Sequence, residues 1–233
     1  MSTTLHLPAR ILAHTGSFSM ETDSMGRSGA DVFRIGDMYL KIAPLGTLER
    51  SAQAQEYFHK KGLSAPLLAF EQESGRDYLL VRSVPGAYAC DRTLMNQPDR
   101  LARVLGETVR LLHETDASDC PLTDANARAL TAYEKESGKA FAGDSAVLKE
   151  DALIHGDMCL PNIFCDEDYR FTGFIDLGDS GLGDRHFDLY WAMWSLSYNL
   201  KTDRYNETFM TAYGLDAFDP ARYAVCAAIS KGV

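Results

Sequence analysis

The sequence predicts an α+β fold in which a small antiparallel sheet is followed by a mostly helical part. Up to about residue 84 apolar and polar residues alternate in short runs, the period of half-buried strands, and beyond Val84-Pro85-Gly86 the apolar residues recur at helical spacing. Strands first and helices afterwards is the order of an α+β chain. The 233 residues, 45% hydrophobic and 24% charged, suffice to bury a core in each of two parts, taken as 1–84 and 85–233.

Residues to about 20 are weakly patterned, a short helix or arm. MGRSGADVFRIGDMYLKIA then reads as a small-residue loop with Gly26, Ser28 and Gly29, and two strands, DVFRI and MYLKI, turning at Gly36-Asp37. Small residues ahead of a strand let backbone N–H groups approach phosphate oxygens, and they serve a plain turn equally well. Lys41 falls inside the second strand between Leu40 and Ile42. A charge there either meets an anion or lies on the exposed face of an edge strand. LERSAQAQEYFHKKG reads as a helix, and LLAFEQE and DYLLVRS as two further strands around Ser74-Gly75-Arg76. Val84-Pro85-Gly86 ends the last of them and suits a hinge.

In the second part, QPDRLARVLGETVRLLHET spaces Leu101, Val104, Leu105, Val109 and Leu112 as a core helix, with His113 a structural or capping residue at its end. Another helix is expected around 123–137, followed by a polar stretch. GDSGLGDRHFDLYWAMWSLSYNL makes Asp184 a helix N-cap candidate and sets Asp188 just inside an apolar helix. Two last helices follow in TDRYNETFMTAYGL and FDPARYAVCAAIS, with Pro220 near the start of the second.

Residues 155–176, HGDMCLPNIFCDEDYRFTGFID, carry the chemistry. His155, Asp157 and Asn162 stand as H-x-D-x-x-x-x-N, and Asp176 opens a D-L-G fourteen residues after the asparagine. Phosphoryl transfer needs a carboxylate beside the acceptor hydroxyl and oxygen ligands that hold Mg²⁺ against the phosphates. Asp157 is the candidate base, because an aspartate is ordinarily ionised at neutral pH and can orient a hydroxyl and take its proton. Asn162 and Asp176 offer hard oxygen suited to Mg²⁺. His155 is read as fixing the loop, since one His without a partner His or Cys is a poor metal-site signal. With 6 His in the chain, H-x-D-x4-N is expected by accident in roughly one such chain in a hundred, and a strand-like FTGFID before the second aspartate narrows that further.

HGDMCLPNIF followed by TGFIDLG resembles the aminoglycoside phosphotransferases, particularly the 3′-phosphotransferases, within the protein-kinase-like and choline-kinase-like superfamily. The resemblance runs over most of the chain. It implies a protein-kinase-like bilobal fold, with an antiparallel β-sheet N-lobe for nucleotide at 1–84 and a mostly helical C-lobe for catalysis and acceptor at 85–233. It further implies Asp157 as catalytic base, Asn162 and Asp176 as Mg²⁺ ligands, Ser28 near the terminal phosphates and Lys41 on the α- and β-phosphates. Adenine would meet the backbone of Arg82 and Val84. The implied reaction moves the γ-phosphoryl group of ATP, or GTP, to a hydroxyl of an aminoglycoside or similar small molecule.

Five departures qualify the acceptor and lysine assignments. Ser51 stands where the family has a helix Glu that holds the lysine, with Gln55 one turn on. Residues 138–152 are shorter than the acidic segment of those relatives, Tyr198-Asn199 fall where relatives present acids, and Lys231-Gly232-Val233 replaces an acidic, aromatic-ended tail. Asp179 occupies a position where close relatives often have a basic residue. A second reading follows, a nucleotide-binding kinase-like protein with little or no transferase activity. Asp157 favours the enzyme, since nucleotide binding alone does not need a base.

The formal charge of -10 argues against nucleic acid as a partner; it suits a cationic acceptor, and serves solubility as well. Five cysteines, an odd number without a C-x-x-C pair, indicate a reducing compartment. With no run of eighteen apolar residues and no signal-peptide pattern, a cytoplasmic chain without a membrane partner is expected.

Overall fold

The computed structural model describes residues 6–16, 19–22 and 30–232, and the chain divides into two units, Met1–Val84 and Pro85–Val233. In chain order the first unit contains α1 (Ala9–Thr15), β1 (Glu21–Thr22), β2 (Asp31–Ile35), β3 (Met38–Pro44), α2 (Glu49–Lys60), β4 (Leu67–Glu73) and β5 (Arg76–Arg82). Its antiparallel sheet has the order β1-β2-β3-β5-β4. Two-residue hairpins set the register. Ile35 pairs Met38 across Gly36-Asp37, and Glu73 pairs Arg76 across Ser74-Gly75, where both turn residues have positive φ (53° and 77°).

Period-two alternation assigns β3 a face for each residue. Met38, Leu40 and Ile42 join Leu7, Ile11, Ile35, Ala69, Tyr78 and Leu80 in one core cluster. Ala43 turns to the other side with Leu48, Ala52 and Leu79. Burying each large aliphatic side chain contributes about 1.5–3 kcal/mol. Asp77, fully buried on β5, accepts from the amides of Gly46 (3.0 Å) and Leu48 (2.8 Å) and from Gln72 Nε2 (3.0 Å). Its carboxylate therefore holds the loop that delivers α2.

The second unit contains β6 (Ala87–Tyr88), α3 (Arg92–Met95), α4 (Pro98–Glu114), α5 (Ala125–Ser137), β7 (Ala152–Ile154), β8 (Ile163–Cys165), β9 (Phe171–Phe174), β10 (Gly181–Gly183), α6 (His186–Leu200), α7 (Asn206–Tyr213) and α8 (Pro220–Ser230). Strands β6-β8-β9 form one small sheet and β10-β7 another. Helix α4 buries Leu101, Ala102, Leu105, Val109 and Leu112. At Gly106 it meets α7 so closely that a Cβ would lie 2.3 Å from the Phe209 carbonyl oxygen, so the backbones can approach only because that side chain is missing. Pro220 takes the first turn of α8, and Asp219 caps it by accepting from the Ala221 and Arg222 amides. The stretch after α5 is not wholly polar in its role: Phe141 and Leu148 pack on Ala125, Ile154, Phe187 and Ile229.

Candidate active site

The loop after β7 is built from backbone N–H groups that need an acceptor, and Asp188 in the first turn of α6 supplies it. Its fully buried carboxylate accepts from the amides of His155 (2.7 Å) and Gly156 (2.9 Å) and from His113 Nε2 (3.2 Å). His113 lies in α4 and is buried; burial pushes its pKa down, outweighing the Asp188 carboxylate. A neutral ring that donates from Nε2 accepts the Tyr213 hydroxyl at Nδ1, 2.9 Å away. The chain Tyr213–His113–Asp188 thus ties α7, α4 and α6 to the loop.

Within the loop His155 uses both ring nitrogens. Nε2 donates to the Ile175 carbonyl (2.9 Å), and Nδ1 accepts the Asp157 amide (3.3 Å). Gly156 has φ +84°, and a Cβ there would lie 2.5 Å from the Asp179 carbonyl oxygen, so only glycine fits. On the far side of Asp157, the Leu160 amide donates to the buried Ser195 hydroxyl on α6 (3.0 Å).

Asp157 itself is half-buried. Asn162 Nδ2 donates both to its Oδ2 (2.9 Å) and to its backbone carbonyl (3.0 Å). With the amide nitrogen so committed, Asn162 Oδ1 is turned to the opposite side. Ile163 pairs Phe174 across β8–β9, and the Ile175 amide donates to the Asn162 carbonyl (3.0 Å), which brings Asn162 and the D-L-G to one end of the hairpin. The strand expected through Asp176 stops at Phe174. Asp176 is exposed and left-handed, with φ 59° and ψ 55°, a conformation Asp tolerates better than most residues because its short side chain can bond locally. Asn162 and Asp176 each carry hard oxygen, the donor type that would suit Mg²⁺. Among the described residues no group of three or more His, Cys, Asp or Glu is arranged to hold a metal.

Asp157 also lines a cavity of about 340 Å³ inside the second unit. Arg128 and Ala129 of α5, Asp179, Phe187 and Trp191 of α6, and Ile229 of α8 form its walls. Arg128 donates to Asp179 at 3.2 Å, so the acidic residue at this position already carries a cation. Cys159, two residues from Asp157, has its thiol pKa driven up by burial and then by the Asp157 charge, which removes it as a thiolate nucleophile.

In the first unit Lys41 stands on β3, the middle strand, opposite Val32 and Leu79, and is half-buried. The edge-strand explanation for this charge is therefore wrong. Gln55 Nε2 is committed to the Ala65 carbonyl (2.6 Å) and the Ser64 hydroxyl (3.2 Å). The Arg82 amide donates to the Pro66 carbonyl (3.1 Å), and Val84 is buried just beyond. Ser28, with Gly26 and Gly29, lies outside the described residues.

A model of the phosphotransferase enzyme family matches residues 20–226. The chain belongs to this family. As a family member it is 38% identical over 205 residues to the probable aminoglycoside 3′-phosphotransferase of Lactococcus lactis subsp. lactis, covering 79% of this chain and 78% of that one. It is 27% identical over 93% of both chains to the aminoglycoside 3′-phosphotransferase of Niallia circulans. The structure of aminoglycoside phosphotransferase APH(3'')-Id from Streptomyces rimosus superposes with a TM-score of 0.74 over 96% of each chain, at 24% identity, a likeness of fold. The phosphotransferase has the kinase-like α+β arrangement, with an antiparallel sheet in its first unit and mostly helices in its second.

Sequence reasoning did not find Ser195, Asn126 or Arg222 in this phosphotransferase. Asn126 bridges the Lys149 carbonyl (3.0 Å) and the Asp184 amide (2.8 Å), and Arg222 Nε donates to Asp184 (2.8 Å). Nothing local marks them, because each partner is distant in the chain. Asp184 also departs from its expected place: Arg185 is the N-cap of α6, and Asp184 reaches the His186 amide (3.1 Å) from one position earlier. Burial by itself would raise the Asp184 pKa, but bonds from His186, Arg222 and the Lys149 amide outweigh it and hold the carboxyl well below the ordinary range. A depressed folded-state pKa contributes stability that is complete above the unfolded value near ~4 and is lost as pH falls below it. Thermal melts between pH 3 and 7 are expected to show that acid loss, and Asp184→Asn to be less stable at neutral pH with a flatter acid limb. Parallel limbs in the two proteins would exclude Asp184 as the source.

Proposed function

We propose that this phosphotransferase moves the γ-phosphoryl group of ATP, or GTP, to a hydroxyl of an aminoglycoside or a similar polyhydroxylated molecule in the cytoplasm. The observation that carries the proposal is the placing of Asp157. Its carboxylate is oriented by Asn162, sits on a loop anchored by Asp188, and faces a cavity large enough for an acceptor ring. In this reading Asp157 orients the acceptor hydroxyl and receives its proton, while Asn162 Oδ1 and the Asp176 carboxylate hold Mg²⁺. The ion, when bound, supplies charge neutralisation on the phosphate oxygens. Lys41 and Ser28 hold phosphates, and the Arg82 carbonyl and Val84 backbone meet the base. The first unit, 1–84, is the nucleotide-binding lobe, and the second, 85–233, the catalytic and acceptor lobe. The names of the relatives support the acceptor class.

Ser51, with Gln55 held by Ser64 and Ala65, supports the second reading, a nucleotide-binding protein with little transferase activity. Nucleoside diphosphate release with Mg²⁺ and ATP or GTP, across aminoglycosides and other polyhydroxylated compounds, separates the two. Acceptor-stimulated release is expected. Nucleotide binding that no acceptor converts into diphosphate release would decide for the second reading.

A further inference from the structure

The acceptor-side cavity has one wall that does not end at the cavity. Trp191 lines it, and Trp194 packs edge-on against Trp191 at 5.6 Å. Tyr198 stacks on Trp194 at 5.2 Å with 12° between the planes. These residues follow one another at helical spacing on α6, so they form a continuous aromatic strip that leaves the cavity along the helix. Away from the cavity the strip is open to solvent: Trp194 is 44% and Tyr198 58% exposed. Scattered exposed apolar residues need no explanation, whereas three rings in register beside a cavity that holds the candidate base do.

From this arrangement we infer that Trp191 and Trp194 are a stacking platform that holds the acceptor's amine-bearing rings by their faces. The inference rests on the phosphotransfer reading above and deepens it. A cavity of about 340 Å³ has room for about one or two sugar rings, so the rest of a larger glycoside must leave it, and the strip offers the way out. Arg128 already pairs Asp179 on the cavity wall, and Asn199 Nδ2 is turned back to the Ser195 carbonyl at 2.8 Å. Of the two carboxylates that line the cavity, Asp179 is thus already paired and Asp157 is the candidate base. An indole face attracts an ammonium group through its quadrupole and packs against a ring's C–H face. The strip already displays that preference within the chain: Lys201 Nζ lies 4.1 Å from the centre of the Tyr198 ring and closes its far end.

The chain has two tryptophans, both in the strip, so tryptophan emission, excited where tyrosine does not absorb, reports this surface. The whole protein is titrated with a three-ring aminoglycoside, with maltotriose as a neutral molecule of equal ring count, and with glucosamine as a single amine-bearing ring. Saturable quenching by the aminoglycoside is expected, and maltotriose should bind about tenfold more weakly or worse. Trp191→Ala, followed by Trp194 emission and calorimetry, should weaken aminoglycoside binding about tenfold, and Trp191→Phe should recover most of it. Trp194→Ala, at an exposed position where folding is safe, should weaken the three-ring ligand and leave glucosamine unchanged. In turnover the Trp191→Ala effect should fall on acceptor KM and spare kcat. Equal binding of maltotriose and the aminoglycoside, or KM and binding indifferent to Trp191→Ala in an active enzyme, overturns the platform and leaves phosphotransfer intact. Quenching that depends on both tryptophans, without diphosphate release, upholds the platform and removes the transferase reading. No binding by any of the three ligands overturns the platform.

Discussion

Asp157→Asn lowers acceptor-dependent phosphoryl transfer by about two to four powers of ten, the usual worth of a general base, while the melting temperature and nucleotide affinity stay near those of the wild type. The geometry makes asparagine the sharper variant. Asn162 Nδ2 donates to Asp157 Oδ2 at 2.9 Å and to its carbonyl at 3.0 Å. An amide oxygen can take the first bond and the second is to backbone, so the loop keeps its shape while the proton acceptor is lost. Asp157→Ala removes one of those bonds as well and should match the asparagine variant in rate but not in stability. Steady-state kinetics with a saturating acceptor, beside a thermal melt, makes the comparison. If Asp157→Asn keeps more than about a tenth of the wild-type rate, Asp157 is not the base.

The second large effect is expected at a residue outside the reacting set. Asp188→Ala leaves the buried His155 amide and His113 Nε2 and the half-buried Gly156 amide without their shared acceptor. Each unsatisfied buried donor costs about 1–3 kcal/mol, and removal of one partner from a buried charged network about 3–5 kcal/mol. At this chain length about 3–5 kcal/mol corresponds to a fall of very roughly 6–20 °C in melting temperature. Activity falls too, because the loop that aims Asp157 is no longer anchored to α6. Asp188→Asn should be intermediate: it keeps the shape, but its NH₂ group must face one of the donors. A melt within about 1 °C of wild type for Asp188→Ala would show that the loop is held by other contacts.

How much of this could be read from residue order varies by element. The strands LLAFEQE and MYLKI and the helix at 97–115 were legible, because period two and period 3.6 are local properties of a chain that buries one face. The same held for the spacing of His155, Asp157, Asn162 and Asp176. The end of the strand before Asp176 was read too late, since its left-handed turn depends on what the hairpin packs against. Lys41 was ambiguous in the sequence, where a central strand and an edge strand look alike; pairing on both sides of β3 resolves it.

By itself the sequence determined the fold class, the order of strands before helices and the spacing of His155, Asp157, Asn162 and Asp176, because these depend on local periodicity and on residue types along the chain. Only the tertiary structure decided what holds and surrounds them. Asp188 reaches the loop from 32 residues away, Ser195 from 35, and His113 meets Asp188 across 75. The cavity takes its walls from α5, α6, α8 and the loop after β7 together. A buried donor accepts whichever partner packing brings near it, and nothing in the spacing of residues along the chain records that choice.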